Sequence, residues 1–480
     1  MNQRVLDILQ IPEETQTIEF KRLGGEKVVS KIIETIVAMS NTDGGVLILG
    51  VDDPEKTKLK GEERIFGIEE NNDTYDAIGR EIQLISPPIG NLWPPENIKT
   101  DYLDRTIAKL VIPKSKEHLH NINNQVFRRQ RKSNIKLTVA EVIKFSYAKG
   151  FEKADRELVD VDLQLLETDY FDAWRRKRDI PAGSTSNILF NTGLARKDAK
   201  GQILPTRAAV LLFALFPTEI MDTKCTVRIF QYTGSIETFK ETPNLVSTPK
   251  TIGGPIIEVL RKSHEYILTL LQNGIEIHSG FITKYKLPER AVKEAITNAV
   301  IHRDYHIKRD IEVKIFEDRI EVHSPGLLPY NITTINIGRV RADGYRNDLI
   351  VKHLREFPEA PNLDRNEGVQ AMRNEMSSRN LFDPIYFTYP YYQDSVNVIL
   401  LNEERSTEWE KVKEYLLVNT YINNAEARRI TSIKQVYSMS RLLKKWVTQG
   451  LLLKITPENR STKNIRYKLI NTSDLPEKTL

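Results

Sequence analysis

The sequence lacks the features that mark secreted, membrane-spanning and zinc-binding proteins. It has one cysteine, Cys225, in 480 residues, which excludes an internal disulfide and a zinc site built on cysteines. Its longest apolar run, Ala208 to Phe216, is far shorter than the roughly 20 residues that cross a bilayer. The first residues lack the apolar core and cleavage site of a signal peptide. These absences predict a cytoplasmic protein that does not enter a membrane.

The chain also has little net charge, but that charge is unevenly distributed. The total is +5, whereas fourteen lysines and arginines stand against five glutamates between Arg405 and Leu469. This stretch therefore carries +9 and the rest of the chain −4. Basic charge concentrated in one C-terminal module is typical of an appended nucleic-acid reader.

Length predicts about three domains, and hydrophobic periodicity with turn signals divides the chain into five segments. They are an α/β unit (1–150), a charged linker or exposed helix (151–180), a middle α/β domain (181–287), a further domain (288–402) and a C-terminal module (406–471). The predicted fold class is therefore multidomain, combining α/β and α+β architecture.

Two acids and a lysine near the N-terminus form a candidate catalytic site. Alternation in the predicted strand "TIEFK" puts Glu19 and Lys21 on one face. Many metal-dependent nucleases place a carboxylate that holds a divalent ion beside a lysine that activates water. Glu14 joins them only if the chain turns before the strand, and Asp52 only if "VLILGVDD" pairs with "TIEFK". Such oxygen ligands predict Mg²⁺ or Mn²⁺ held by Glu19 and Asp52, and the alternative is a solvated strand face.

The motifs "E-x4-E-F-K", "N-T-x-G-G" and "L-I-L-G-V-D-D", in this order, resemble the Schlafen AlbA-type domain over about 1–150. The resemblance implies a nucleic-acid-binding domain. In animal Schlafen proteins it implies a tRNA or rRNA endoribonuclease with three carboxylates, which by motif position fall on Glu14, Glu19 and Asp52. Many bacterial relatives keep these residues but are described as DNA-binding proteins or regulators, so cleavage and binding both stay open.

Basic side chains near this site suit either function. The run "FRRQRK" offers Arg128, Arg129, Arg131 and Lys132 as contacts for a phosphate backbone of RNA or DNA. In "WRRKR", Trp174 is a candidate for stacking on a base. The alternative for both runs is an ordinary solvated face.

A helix with the sequence "EAITNAVIHRDY" carries a second candidate site. Glu294, Asn298 and His302 recur at every fourth position and so share one helical face. The stretch from Pro288 to about 400 resembles the C-terminal region of RecG-like transcriptional regulators, which implies a GHKL-type ATPase fold, an α/β sandwich. By position, Glu294 then resembles a catalytic base and Asn298 a Mg²⁺ ligand for ATP.

The chain departs from an active GHKL site at two places. An Asp-x-Gly-x-Gly box is replaced by "HSPGLLP", which has Gly326 but no aspartate for adenine. The glycine-rich lid is reduced to "NEGVQAM", with Gly368 alone. Nucleotide binding, ATP hydrolysis and a dimerisation scaffold are therefore alternatives for this domain. The family resemblance also implies a homo-oligomer.

Three helices followed by a hairpin, the order of a winged helix, are predicted for the C-terminal module. The outer face of its third helix, with two residues of the wing, would contact the major groove and phosphates. These residues are Lys434, Gln435, Arg441, Lys444 and Lys445, with Arg460 and Lys463 in the wing. The alternative is a module that docks another protein.

Two functions follow from these sites. One is a metal-dependent nuclease of RNA or DNA, controlled by the GHKL-like domain, which would suit antiviral defence although no residue points to that role. The other is a DNA-binding transcriptional regulator that responds to ATP or another ligand and does not cut.

Overall fold

The computed structural model describes residues 3–24, 27–149, 151–237, 244–276, 282–329, 332–334, 336–340, 345–360, 368–388, 391–455 and 465–470. The chain forms two compact units, Met1–Glu152 and Lys153–Leu480. The wing residues Arg460 and Lys463 lie outside the described residues. Within these ranges no helix combines the length and the apolar character that crossing a membrane requires.

The first unit is an α/β domain, as predicted. Its elements are α1 (Gln3–Leu9), β1 (Ile18–Lys21), α2 (Val28–Asn41), β2 (Gly45–Leu49), α3 (Asn72–Ile82), β3 (Glu96–Lys99), β4 (Thr106–Ile112), β5 (Phe127–Gln130), β6 (Ser133–Lys136) and α4 (Val139–Lys149). Two 3₁₀ helices, Gly61–Arg64 and Ile68–Glu70, follow β2.

A four-stranded sheet with the order β1-β2-β4-β3 positions the N-terminal acids. Strand β1 runs parallel to β2, with Glu19 opposite Leu47, so the pairing that the sequence predicted is present. Helix α2 turns apolar residues such as Ile32, Ile36 and Met39 into the core beneath the sheet. The separate hairpin β5–β6 packs against the same helix.

The second unit begins with elements that surround a buried helix. They are two 3₁₀ helices (Ala154–Arg156 and Leu163–Leu166), α5 (Asp169–Lys177), α6 (Thr185–Thr192), β7 (Ala195–Lys197), β8 (Ile203–Pro205), α7 (Arg207–Phe213) and α8 (Pro217–Ile220). The segment predicted as a linker is not one, because Phe171 and Trp174 of α5 are buried against Phe213 of α7. Trp174, fully buried, cannot stack on a base as it stands.

A six-stranded sheet and its helices form the centre of the second unit. The elements are β9 (Val227–Gln231), β10 (Lys250–Ile252), α9 (Ile256–Asn273), β11 (Ile275–Glu276), β12 (Ile282–Thr283), α10 (Glu289–His302), β13 (Ile311–Ile315), β14 (Arg319–Pro325), α11 (Asp348–Leu354), α12 (Gly368–Ser378), β15 (Ile385–Phe387) and β16 (Ser395–Leu401). The strand order is β10-β9-β13-β14-β16-β15.

The domain boundary predicted after residue 287 falls inside this sheet. Strand β9, from the predicted middle domain, pairs in parallel with β13 from the next one, with Val227 opposite Ile311. Helix α10 packs on α9, on α12 and on β14, which places Glu294 and its neighbours above the sheet. The two predicted segments therefore share one sheet.

The C-terminal elements occur in the order predicted for the basic module. They are α13 (Thr407–Val418), α14 (Asn424–Thr431), α15 (Val436–Thr448), β17 (Leu452–Ile455) and β18 (Arg466–Leu469). Trp409 and Trp446 meet with ring centroids 5.2 Å apart, and Phe387 of β15 belongs to the same core. The module is therefore built onto the edge of the sheet.

Asp155 is a buried acid that holds the start of α11. Its Oδ2 accepts the backbone N–H groups of Leu349 (2.9 Å) and Ile350 (3.2 Å). Burial raises the pKa of Asp155 to about 6, although these two N–H groups oppose the rise.

We expect Asp155→Asn to remove one pH-dependent contribution to stability. The folded protein keeps the Asp155 proton up to about pH 6, whereas the unfolded chain loses it near about pH 4. The contribution is therefore complete below about pH 4 and lost as the pH rises through about 6, a change on the order of 3 kcal/mol. We subtract the Tm of the variant from that of the wild type. This difference should decrease as the pH is raised from about 4.5 to about 7.5. A difference that does not change with pH would contradict this assignment.

Candidate functional sites

The chain folds back immediately before β1, and this turn brings Glu14 to the strand. The backbone N–H of Thr15 donates to the Ile18 carbonyl (2.9 Å), and the Phe20 N–H donates to Glu14 Oε1 (3.0 Å). Lys21 Nζ then lies 3.8 Å from Glu14 Oε1. The turn that the sequence required for Glu14 to join Glu19 and Lys21 is present.

Glu19 is buried and held by two cations. Its Oε1 accepts a hydrogen bond from Lys21 Nζ, and its Oε2 accepts one from Arg129 Nη2. Arg129 is itself fully buried and also donates to Asn134 Oδ1 (2.8 Å). Arg129, predicted to contact nucleic acid, therefore ties the β5–β6 hairpin to β1.

Asp53, rather than Asp52, supplies the third carboxylate. Gly50 ends β2 with φ +85°, and beyond it Val51 and Asp53 face inward while Asp52 is less buried. Lys56 Nζ lies 2.6 Å from Asp53 Oδ2 and 3.3 Å from Glu14 Oε2, which links the two acids. The placement of Asp52 in the site is thereby corrected by one residue, because Glu19 lies opposite Leu47 and alternation from Leu47 puts residue 53, not 52, on the same face.

All six oxygens of this carboxylate network (Glu14, Glu19 and Asp53) already have donors or ammonium partners. Besides the contacts above, Asp53 Oδ1 accepts the backbone N–H of Glu55 at 3.0 Å. Three carboxylates are therefore matched by Lys21, Lys56 and Arg129. The described residues contain no group of three His, Cys, Asp or Glu side chains placed to hold a metal ion. The arrangement does not fit Mg²⁺ or Mn²⁺, since a divalent ion would have to displace these cations.

The pKa values of this network follow from burial and charge. Burial, and next the charge of Glu19, raise the pKa of Glu14. Burial also acts to raise the pKa of Asp53, but hydrogen bonds from Lys56 and the Glu55 backbone outweigh it and lower that pKa. The network thus holds one acid with a raised pKa beside one with a lowered pKa.

The other basic residues of "FRRQRK" lie in different surroundings. Lys132 pairs with Glu13 (3.0 Å) and Glu55 (2.5 Å). The guanidinium of Arg128 lies 5.8 Å from the Phe145 ring. The Arg131 backbone N–H donates to the Gln16 side chain at 3.4 Å. The run is therefore not one continuous basic surface.

A cavity of about 920 Å³ opens beside α10 in the second unit. Its lining includes all five residues proposed from the sequence for a cofactor: Glu294, Asn298, His302, Gly326 and Gly368. Strands β14 to β16 and helices α9 and α12 supply apolar and aromatic wall residues. They include Leu260, Val322, Met372, Tyr386, Val396 and Val398. The size and the mainly apolar lining are those of a small-molecule site.

Glu294 and Asn298 form the polar wall of the cavity. Asn298 Nδ2 donates to Glu294 Oε1 at 3.1 Å, which leaves the amide oxygen as the Asn298 atom suited to a cation. Burial raises the pKa of Glu294, and the hydrogen bond from Asn298 opposes it. A Cβ on Gly368 would lie 1.7 Å from Glu294 Oε1, so a side chain at this position would displace the Glu294 carboxylate.

His302 is the last residue of α10, and Gly326 directly follows β14. Burial and the charge of Arg346 lower the pKa of His302 to about 4, so its imidazole is neutral. The ring stacks on Tyr345, with centroids 5.5 Å apart. Gly326 has φ +109° and a Cβ there would meet the Arg346 guanidinium at 2.0 Å. In place of an adenine-binding aspartate, Ser324 donates to the Ala299 carbonyl at 2.9 Å.

Helix α15 presents the polar face that the sequence predicted. Met439, Leu443 and Trp446 are buried. The predicted contact residues Lys434, Gln435, Arg441, Lys444 and Lys445 are exposed. Lys445 pairs with Glu403 (2.5 Å), so part of its charge is compensated within the protein.

Comparison with known families finds matches to two parts of the chain. Residues 14–138 match the Schlafen AlbA_2 domain. Residues 308–400 match the family described as the ATP-dependent DNA helicase RecG C-terminal domain, HATPase_c_4. Two separate parts of the chain are therefore similar to a Schlafen AlbA_2 domain and to the RecG C-terminal domain. The carboxylate network lies within the first match, whereas α10 precedes the second.

Whole-chain comparisons add less. The crystal structure of the DIP2311 protein from Corynebacterium diphtheriae is similar in part. The alignment covers 95% of this chain and 80% of the DIP2311 chain, with 18% sequence identity and a TM-score of 0.38. No functionally curated protein is significantly similar in sequence.

Two residues of the AlbA_2 site were missed by sequence reasoning. They are Asp53 and Lys56, whose side chains meet at 2.6 Å. The sequence signal that could have identified them is an acid and a lysine three positions apart, just after the glycine that follows β2. Arg129 was noticed but given a different role, because a basic run does not reveal which of its members is buried.

Arg129→Gln should destabilise the AlbA_2 domain by about 3–5 kcal/mol, because it leaves Glu19 buried without its guanidinium partner. Lys136→Gln is the matched control, since Lys136 is an exposed residue of the same hairpin and should change stability little. Thermal denaturation in EDTA and in Mn²⁺ measures both effects. Equal Tm values for Arg129→Gln and Lys136→Gln would contradict this interpretation. So would a Tm that Mn²⁺ raises in the wild type but not in the Glu19→Gln variant.

Proposed function

We propose that the protein is a nucleic-acid-binding regulator that responds to a nucleotide bound in the cavity beside α10. The observation that carries the proposal is the convergence of Glu294, Asn298, His302, Gly326 and Gly368 on that one cavity. Sequence spacing and a family resemblance selected these residues, and the cavity joins them with a volume suited to a nucleotide.

Nucleic-acid binding is supported by the AlbA_2 domain and by the basic C-terminal module. The outer face of α15 exposes Arg441 and Lys444 beside Gln435, a combination that suits phosphate and base-edge contacts. The predicted winged-helix docking of α15 belongs to this proposal. A homo-oligomer belongs to it as well, on the family resemblance.

Bound with Mg²⁺, a nucleoside triphosphate would supply phosphate oxygens and a cation for the polar wall. The amide oxygen of Asn298 suits the cation, and the buried carboxyl group of Glu294 suits a water or a phosphate oxygen as hydrogen-bond partner. The missing aspartate means that base recognition differs from that of a typical GHKL ATPase. We therefore propose binding as the main role of the cavity, and hydrolysis as secondary.

Asn298→Ala should weaken the binding of ATP with Mg²⁺ by about tenfold or more, because it removes the candidate cation ligand. The measurement is the Tm as a function of ATP concentration, where saturation at about 100 times Kd adds about 2.7 kcal/mol. Asn419→Ala, at an exposed site on the end of α13, is the control. A wild-type Tm that does not respond to any nucleotide would refute the proposal for the cavity.

Replacing both Arg441 and Lys444 by glutamine should lower the affinity for nucleic acid and reduce the slope of log K against log salt by about 2. Lys411→Gln changes an exposed lysine on α13 of the same module and should have little effect. Fluorescence anisotropy with duplex DNA and with single-stranded RNA measures both quantities. Equal salt slopes for all three proteins would remove α15 from the interface.

Phosphodiester cleavage at the carboxylate network is the second candidate function. The observation in its favour is the convergence of Glu14, Glu19 and Lys21, which a purely nucleic-acid-binding surface does not require. The occupied oxygens argue against a resident metal ion, and we route no step through one.

A cleavage screen with tRNA, single-stranded RNA and DNA separates the two candidates. We expect no products from the wild type, with divalent ions or with EDTA. Products that depend on Glu19 and Lys21, tested as Glu19→Gln and Lys21→Gln with a Tm measured for each, would replace the regulator by a nuclease.

A further inference from the structure

The cavity beside α10 has two chemically different ends. Glu294 and Asn298 lie at one end, and His302 lies about two helical turns beyond Glu294, roughly 12 Å along the axis of α10. All three side chains line the cavity. A single ligand that contacts both Glu294 and His302 must therefore be long. One of its ends has to suit a carboxyl group beside an amide, and the other has to suit an imidazole.

The His302 end of the cavity carries little charge. The imidazole is neutral, because burial and the charge of Arg346 lower its pKa to about 4, and Arg346 is the one charged group that acts on it within the described ranges. The guanidinium of Arg346 donates to the backbone carbonyls of His302 (3.2 Å) and Leu327 (2.7 Å). Leu327 and Ile301 contribute apolar side chains to the cavity wall. An uncharged group fits this end better than a phosphate, because a buried charge needs a partner of opposite sign.

The imidazole of His302 is held in one plane and offers one nitrogen to the cavity. The ring stacks on Tyr345 with an interplanar angle of 9°. Its Nδ1 is buried and has no hydrogen-bond partner among the residues that the structure describes. A buried N–H without an acceptor is rare in proteins, and the positive charge of Arg346 favours a lone pair on Nδ1. The ring proton therefore belongs on Nε2, the nitrogen left to face the cavity.

We propose that His302 recognises the nucleobase of the bound nucleotide, with its Nε2–H donating to an acceptor atom on the edge of the base. The proposal rests on the proposed function, which puts the triphosphate and its cation at Glu294 and Asn298, and it deepens that function by giving the ligand a direction in the cavity. Each nucleobase is a flat, uncharged ring with acceptor atoms on its edge, which matches a neutral end that has a donor. Ser324 does not supply this donor, because its hydroxyl donates to the Ala299 carbonyl at 2.9 Å.

The test uses the full-length protein and two probes, ATP and inorganic tripolyphosphate, each with the same free concentration of Mg²⁺. The Tm is measured as a function of the concentration of each probe. ATP should raise the wild-type Tm more than tripolyphosphate does. His302→Phe keeps an aromatic ring against Tyr345 and removes the donor, so it should weaken ATP binding about fivefold. Tripolyphosphate binding should be the same in this variant as in the wild type.

Two amide variants test which ring nitrogen matters, and they also serve if the phenylalanine variant does not fold. The amide nitrogen of glutamine can take the position of Nε2, whereas that of asparagine falls near Nδ1. His302→Gln should therefore bind ATP within about twofold of the wild type, and His302→Asn should lose about fivefold. These variants differ by one methylene group, so each controls for the other.

His323→Phe is a further control in the same domain. His323 is a half-buried histidine of β14 whose ring packs edge-on against Tyr392, with centroids 4.7 Å apart. Burial lowers its pKa to about 4 as well, so this imidazole is also neutral. Alternation along β14 places His323 on the face opposite Val322 and Ser324, which line the cavity. The variant should bind ATP like the wild type.

The outcomes separate failure of this role from failure of the proposed function. Equal ATP binding by the wild type, His302→Phe and His302→Asn would overturn the role of His302 alone. Equal gains in Tm from ATP and from tripolyphosphate in the wild type would also overturn it, because the base would then contribute nothing. If His302→Phe lost as much affinity for tripolyphosphate as for ATP, a phosphate rather than the base would lie at His302. A wild type whose Tm responds to neither probe would refute nucleotide binding in the cavity.

Discussion

The ion pair between Glu19 and Arg129 joins parts of the first unit that are 110 residues apart in sequence. It holds the β5–β6 hairpin to the edge strand β1, and it fixes the position of Lys21 and, through the turn at Thr15, of Glu14. A buried pair of this kind contributes little net stability but makes the removal of either partner costly. The remaining carboxylates of the network are arranged around it. The site that resembles a nuclease centre thus also connects the β5–β6 hairpin to strand β1.

The second unit depends on α10 in a comparable way. One face of the helix supplies apolar residues to the core, and the other supplies the polar wall of the cavity. Its C-terminal end is fixed by Asn347, whose Nδ2 donates to the carbonyls of Ile301 and Arg303 at 2.8 Å each. These two hydrogen bonds anchor the end of α10 that carries His302.

Sequence predicted well what depends on local periodicity. The spacing of Glu294, Asn298 and His302 gave one helical face, and the alternation in "TIEFK" gave the pairing of Glu19 with Lys21. Properties that depend on distant contacts were not predictable. The register of β1 on β2 puts Asp53 rather than Asp52 on the face of Glu19, and Trp174 is buried by Phe213. Strand β9 pairs in parallel with β13, which comes much later in the chain, and no local pattern reveals that pairing.

The C-terminal module shares its core with the sheet, and this bears on how it would act in the proposed function. Phe382, Phe387 and Leu401 lie in one apolar cluster with Trp409 and Trp446, and Glu403 binds both Lys445 and Gln449 of the α15 region. For a module on a flexible tether, the length of the tether sets its effective concentration near the rest of the protein. Here α15 is held at a set distance from the cavity. Under the proposed function, a nucleic acid on α15 would be held at a defined place relative to the cavity, so geometry rather than tether length would set the coupling.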